Sequence, residues 1–352
     1  MQYPKKITHL FYICLCSILL IGAIETKAQN GNESTSYSEL FDINNPFEIN
    51  LIFDVREFIK NKDVDEYVDA KISYYVKDCT LVEKKVRIKP RGNRRKSVCY
   101  IPPIRIDFND EDYQIDLFDG WGKVKLVSSC KAATNYEQYV LKEYLAYKSY
   151  ETLTEISFKT FFLKVNFIDS EDKKKPFVSY SFILEDIDEL ATRNDAIEVE
   201  TNGLLPVHLY RPTMNLVGMY QFMIGNEDWY VPNLHNLKLI KSTDHKKPQP
   251  IPIPYDLDYS GLVNALYAVQ HERIPVEKIT DRYYMGTCLL DEEYREIVKT
   301  FLDNKAEILR IFEESNYLQK ASRNYSLKYL NDFYDIIENE KKGKSMIMKD
   351  CD

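Results

Sequence analysis

Residues 135–153 read NYEQYVLKEYLAYKSYETL, a clear helical pattern set into a first half that is otherwise patterned as strands. Tyr136, Val140, Glu143, Tyr147 and Tyr150 recur at spacings of 4, 3, 4 and 3, which puts them on one helix face. Glu143 is therefore a carboxylate on an aromatic stripe, and burying it is costly unless a cation meets it. Upstream, Phe47–Phe53, Tyr67–Val76, Val86–Lys89 and Ile104–Phe108 alternate apolar and polar residues with period two, and Val124–Val127 adds a short strand. Downstream, Phe158–Ile168 and Phe177–Leu184 flank a charged hairpin at Asp169–Lys175. Residues 211–224 then read as a buried helix, and Asp291–Ser315 and Ser326–Lys342 as amphipathic helices. The expected fold is α+β and bilobal. A largely antiparallel N-terminal sheet lobe (46–185) holds one helix, a hinge lies near Glu185–Asn194, and a helix-rich C-terminal lobe (186–345) follows.

The ends carry a different pattern. Lys5 and Lys6 precede a mostly apolar run from Leu10 to Ile24, and Thr26-Lys27-Ala28 leaves small residues before a cut at Gln29. Residues 1–28 are read as a secretory signal peptide, too short in its apolar run to span a bilayer comfortably. Residues 29–45, rich in Asn, Ser, Asp and Glu, are read as a flexible leader. The chain is expected to be exported (periplasmic, cell-surface or secreted), with no transmembrane segment after signal removal. Losing residues 1–28 removes three lysines and one glutamate, so a net charge of −8 becomes −10. That balance argues against general nucleic-acid binding. Five cysteines remain, of which Cys99 and Cys130 are a candidate disulfide, with buried reduced thiols as the alternative. The four remaining histidines show no zinc spacing, and no Gly-x-Ser-x-Gly or His-Glu-x-x-His motif occurs.

The chemistry concentrates between Asn226 and Gly261. Asn226-Glu227-Asp228-Trp229 is followed by His235-Asn236 and a short apolar strand, then by Pro254-Tyr255-Asp256-Leu257-Asp258-Tyr259-Ser260-Gly261. An acid, an Asn eight positions later and an acidic pair some twenty residues beyond is the order of a phosphoryl-transfer site. In such a site one carboxylate meets the substrate hydroxyl, while an amide oxygen and further carboxylates hold Mg²⁺. Asp and Asn are also common turn residues, so a solvated acidic turn is the competing reading. Asp256 and Asp258, as alternate residues of a strand end, are expected to point to one face. Arg91, Arg94 and Arg95 around Gly92 form a basic turn able to cradle phosphate or simply to be solvated. Lys125, just ahead of the Glu143 helix, is the candidate to pair with Glu143 and orient phosphates, and Arg105 on the neighbouring strand competes for that role.

These residues resemble the spore-coat protein H family, the secreted CotH kinases, over roughly residues 85–265. The blocks are Val86-Arg-Ile-Lys-Pro-Arg-Gly-Asn93, Lys123-Val-Lys-Leu-Val127, Tyr139-Val-Leu-Lys-Glu-Tyr-Leu-Ala-Tyr147, Phe182-Ile-Leu-Glu-Asp186, Asn226–Trp229, His235-Asn236 and Pro254–Gly261. The resemblance implies an atypical protein-kinase fold, ATP with Mg²⁺, and transfer of phosphate to Ser or Thr of a protein outside the cytoplasm. By position, Asp228 is similar to the catalytic acid, and Asn236 and Asp256 to metal ligands, with Asp258 as a second metal candidate. Lys125, Glu143, Arg91 and Arg105 fall to the nucleotide side, and Glu185 resembles a hinge residue near adenine. The chain departs from the family at Arg94-Arg95-Lys96, where small hydroxyl residues are usual. The alternative function is a catalytically silent kinase-like module that binds a surface or envelope partner.

Overall fold

Seven strands close into a barrel: β1 (Phe47–Phe53), β2 (Val68–Tyr75), β3 (Leu81–Pro90), β4 (Ile104–Asp107), β5 (Lys123–Val127), β6 (Thr160–Asp169) and β7 (Phe177–Leu184). The order around the ring is β1-β2-β3-β4-β5-β7-β6, and β6 returns to β1. The expected largely antiparallel sheet is found in six of the seven pairings, and the correction is that it closes into a ring. A closed ring with an odd number of strands cannot alternate direction throughout, so one pair must run parallel. That pair is β1 with β6, joined in register from Phe47–Leu163 to Phe53–Asp169. Closure leaves no exposed edge on this sheet. The computed structural model describes residues 45–76, 80–92, 94–108, 118, 121–131, 133–270 and 274–348. The expected signal peptide, nearly all of the leader, and Asn93, Cys79, His271 and Cys351 lie outside the described residues.

Period-two alternation decides what the barrel holds. Phe161, Leu163, Val165 and Phe167 of β6 point inward with Leu51, Ile88, Ile106, Leu126 and Ile183, forming one buried core. The intervening Phe162, with Phe182 and Leu184 of β7 and Val127 of β5, faces outward into a second core. There these side chains meet α3 (Thr134–Glu151), the helix anticipated from 135 to 153. Short helices interrupt the strands: α1 (Val55–Lys60), capped by Asp54 accepting from Glu57 N at 2.8 Å, and α2 (Arg94–Val98) between β3 and β4. Cys99, which follows α2, is disulfide-bonded to Cys130. A bond closing a loop of that size contributes about 3–4 kcal/mol.

Beyond β7 the chain is mostly helical. The segment read as a hinge forms α4 (Ile187–Arg193), capped by Asp186. Next come β8 (Ala196–Glu198), α5 (Arg211–Ile224), β9 (Leu237–Ser242) and β10 (Ile251–Pro254). These three strands form a small sheet ordered β10-β9-β8, so the proline-bearing β10 sits at an edge as its composition requires. The expected helix over 291–315 is divided at Asn304 into α6 (Asp291–Asp303) and α7 (Lys305–Glu313). α8 (Lys320–Ile337) and α9 (Glu340–Ile347) close the described chain. Among the described residues no helix is long and apolar enough to cross a membrane. The outer core runs from α3 and β7 through α5, β9 and β10 to α8, so the barrel wall and the helical part share one interior.

Candidate active site

Backbone hydrogen bonds knit the two acidic blocks together. Helix α5 stops at Gly225, whose φ of 60° is left-handed and whose Cα faces the Tyr329 hydroxyl too closely to admit a Cβ. Gly261 N then donates to Gly225 O at 2.8 Å, Leu262 N to Ile224 O at 2.9 Å, and Tyr255 N to Asn236 O at 3.0 Å. Buried Asn226 accepts from Asp228 N and donates to Gln221 Oε1, which fixes the start of the loop. Asn236 and Asp256 have φ of 51° and 56°. Asn and Asp tolerate that region better than other side chains, though it remains sparsely populated. Asp256 is therefore a turn residue and not, as expected, a strand neighbour of Asp258. The turn, and no pleat, brings both carboxylates inward.

They line a cavity of about 360 Å³ between the barrel wall and the α5–β9–β10 region. Arg91, Arg95, Glu143, Asp228, Asn236, Asp256 and Asp258 all border it. A larger cavity of about 640 Å³ borders Arg282 and Tyr284 and contains none of the residues expected from the sequence.

The floor is acidic. Glu143, Asp256 and Asp258 each offer one carboxylate oxygen, and these oxygens lie within 4.8 Å of one another. Glu143 is 2% exposed and Asp258 4%. Arg95 of α2 reaches between them: its Nη2 is 3.0 Å from Glu143 Oε2 and 2.9 Å from Asp258 Oδ2. Burial pushes Glu143 up to about 8 and Asp258 up to about 6, even though Arg95 pulls both down. One guanidinium is thus an incomplete counter-charge for three acids. A set of hard oxygen donors this close together suits a Mg²⁺-like divalent cation. Tyr147, one helical turn after Glu143, supports the floor by accepting from Asp256 N at 2.8 Å.

Asp228 stands at the rim with both oxygens held. His235 Nε2 donates to Oδ1 at 2.8 Å, and Asn236 Nδ2 donates to Oδ2 at 2.9 Å. Both Asn236 side-chain bonds, to Asp228 Oδ2 and to Asp228 O, use the amide nitrogen, and among the described residues its amide oxygen has no hydrogen bond. The His235 side chain is 49% exposed, so the pair opens to solvent.

The basic candidates divide. Arg91 borders the cavity and donates to the Tyr255 hydroxyl at 2.6 Å. Lys125 does not pair with Glu143, because Arg95 holds that carboxylate. Instead the Lys125 ammonium lies 4.6 Å from the centre of the Tyr255 ring, and burial, then Arg91 and Lys238, push it down to about 8. Arg105 is the cross-strand neighbour of Lys125 and does not line the cavity. The Glu185 carboxylate is occupied elsewhere, accepting from Arg193 Nε at 2.7 Å and Lys159 N at 2.9 Å. Arg95, His235, Tyr147 and Tyr255 stand in the sequence as members of the basic turn, the two motif blocks and the helix stripe, without a site role of their own.

No protein-family model matches the chain, and no curated protein matches it. Among solved structures, the chain is similar to the crystal structure of a Helicobacter pylori proinflammatory kinase, CtkA. The TM-score is 0.40 and the identity 9%, covering 71% of this chain and 92% of that one.

Proposed function

We propose that this chain is an exported phosphotransferase of kinase-like build, related to the CotH kinases, that uses Mg·ATP to phosphorylate Ser or Thr of a protein outside the cytoplasm. The single observation that carries the reading is the meeting of Glu143 of α3 with Asp228, Asn236, Asp256 and Asp258 of the Asn226–Gly261 stretch around one cavity. A set of turn-forming acids has no reason to converge in this way. Asp256 and Asp258, with the Asn236 amide oxygen, would hold the metal, whose chemistry is to neutralise charge on the phosphate oxygens. Asp228 would take the proton of the acceptor hydroxyl, with His235 and Asn236 fixing the carboxylate. Arg91 and Lys125 supply positive charge on the barrel side for the phosphates.

Turnover of Mg·ATP by the full chain, followed beside its melting temperature, tests this. Asp256→Asn is expected to lower turnover about a hundredfold or more and to keep the fold. Wild-type turnover in that variant removes the assignment. A wild-type melting temperature indifferent to every nucleotide supports the second reading, a silent kinase-like module that binds a surface or envelope partner. What favours that alternative is the Arg95–Glu143 pair, which occupies the carboxylate expected to hold a lysine.

A further inference from the structure

Arg95 is a poor occupant of its place. Its contacts to Glu143, Asp258 and the Tyr267 hydroxyl all come from one nitrogen, Nη2, at 3.0, 2.9 and 2.8 Å. Its Nε is buried with no hydrogen-bond partner among the described residues. A guanidinium built for a carboxylate presents a fork of two parallel donors, which is its advantage over a point charge. Here the fork goes unused, and a single nitrogen acts as a point charge among three acids. Two of the three lie within ion-pair distance of it, while the Asp256 carboxylate has no ion pair among the described residues. A divalent cation held by these carboxylates would take over the charge-balancing role of Nη2, and it would bring twice the charge.

We infer that Arg95 is a built-in counter-ion that competes with a divalent cation for Glu143 and Asp258, so that metal enters as the guanidinium leaves. The surroundings allow a swing of the side chain without a large change of backbone. Helix α2 is only five residues long, and the Cys99–Cys130 disulfide pins the residue that follows it. Gly92, at φ 83°, gives the turn that leads into it. The Tyr267 ring lies 5.6 Å from the guanidinium carbon and offers the departing cation a face to rest on. Arginine thus offsets part of the acid cluster's charge when metal is scarce, which makes the buried Glu143 and Asp258 more tolerable in the metal-free protein.

The inference rests on the proposed reading only in taking this cluster as the metal site. Its test therefore uses Mn²⁺ alone, without nucleotide, on the full chain, with free Mn²⁺ followed by electron paramagnetic resonance. Arg95→Gln is expected to bind Mn²⁺ about tenfold more tightly or better than wild type. Tyr267→Phe, which keeps all three carboxylates but removes the hydroxyl that holds the guanidinium and also bonds Asp258, should strengthen binding by a smaller factor. Adding Asp258→Asn to Arg95→Gln should abolish the gain. Equal or weaker affinity in Arg95→Gln overturns the inference, as does a gain that survives Asp258→Asn. Should Arg95→Gln fail to fold, Tyr267→Phe decides alone, and wild-type affinity there overturns it. Absence of phosphoryl transfer leaves this result untouched, so the two readings fail separately.

Discussion

β5 and β7 present two faces that differ in kind. On the inner face Val124, Leu126 and Ile183 meet Phe161 and other apolar side chains in a closed interior. On the outer face Val127, Phe182 and Leu184 pack into the second core, but Lys125 stands among them, 7% exposed and over the Tyr255 ring. The inner face is redundant, because many side chains of similar character fill one volume. The outer face is not: each charge there has a particular neighbour or lacks one. Removing a group from the two faces should therefore have effects of different size and of opposite sign.

The largest effect belongs to the inner face. Phe161 contacts the rings of Phe47, Phe118 and Trp121 inside the barrel. Phe161→Ala should cost about 3–5 kcal/mol, read as a lower midpoint in urea unfolding with the slope unchanged. A cost below about 1 kcal/mol would mean that the barrel interior is not the rigid half of the comparison.

A medium effect comes from a buried acid next to Asp228 in sequence. Glu227 is 4% exposed, and burial, followed by the charge of Asp281, pushes it up to about 7. Since its folded value exceeds the ordinary 4.5, the native state holds this proton more tightly than the unfolded chain does. Its contribution is then fully present below pH 4.5 and is lost as the pH rises through 7. The loss is on the order of 2–3 kcal/mol. Glu227→Gln should flatten this fall in a series of melting curves from pH 4 to 8. A variant with the same slope as wild type would place the proton elsewhere.

The two faces also explain how much could be read in advance. The charged hairpin before Phe177–Leu184 marked out β7 to the residue, and the 4-3-4-3 stripe predicted α3, because burial on one helix face imposes a period that any reader can count. Ring closure was invisible. The β1–β6 seam joins strands more than a hundred positions apart, and nothing local to either marks the pairing. At the site, Asp228, Asn236, Asp256, Asp258 and Glu143 were legible as types at a spacing, and the structure brings them to one cavity. The partner of Glu143 was not legible. Both Lys125 and Arg95 are cations within reach in sequence terms, and the choice depends on a five-residue helix that the Arg-rich turn conceals. Glu185 shows the converse, since the resemblance offered it as a hinge residue while Arg193 holds its carboxylate.

The smallest expected effect is the sharpest probe of the outer face. Lys125 makes no ion pair among the described residues, and burial first, then Arg91 and Lys238, lower it from 10.5 to about 8. That depression corresponds to roughly 3 kcal/mol of unfavourable charge at neutral pH. Stacking on Tyr255 returns about 1–2 kcal/mol of it. Lys125→Met keeps the apolar stem and removes the ammonium, so it should raise stability by only about 1 kcal/mol at pH 7. The pH dependence supplies the check. A lysine with a depressed folded value destabilises most when charged, and the penalty fades as pH climbs from 8 towards 10.5 and the native state sheds its proton. The melting temperatures of wild type and Lys125→Met should therefore converge by pH 10. If the gap persists there, the lysine is held by packing and not by charge. If Lys125→Met is destabilised at pH 7, the ammonium has a partner in solution, and the outer face is as well satisfied as the inner one.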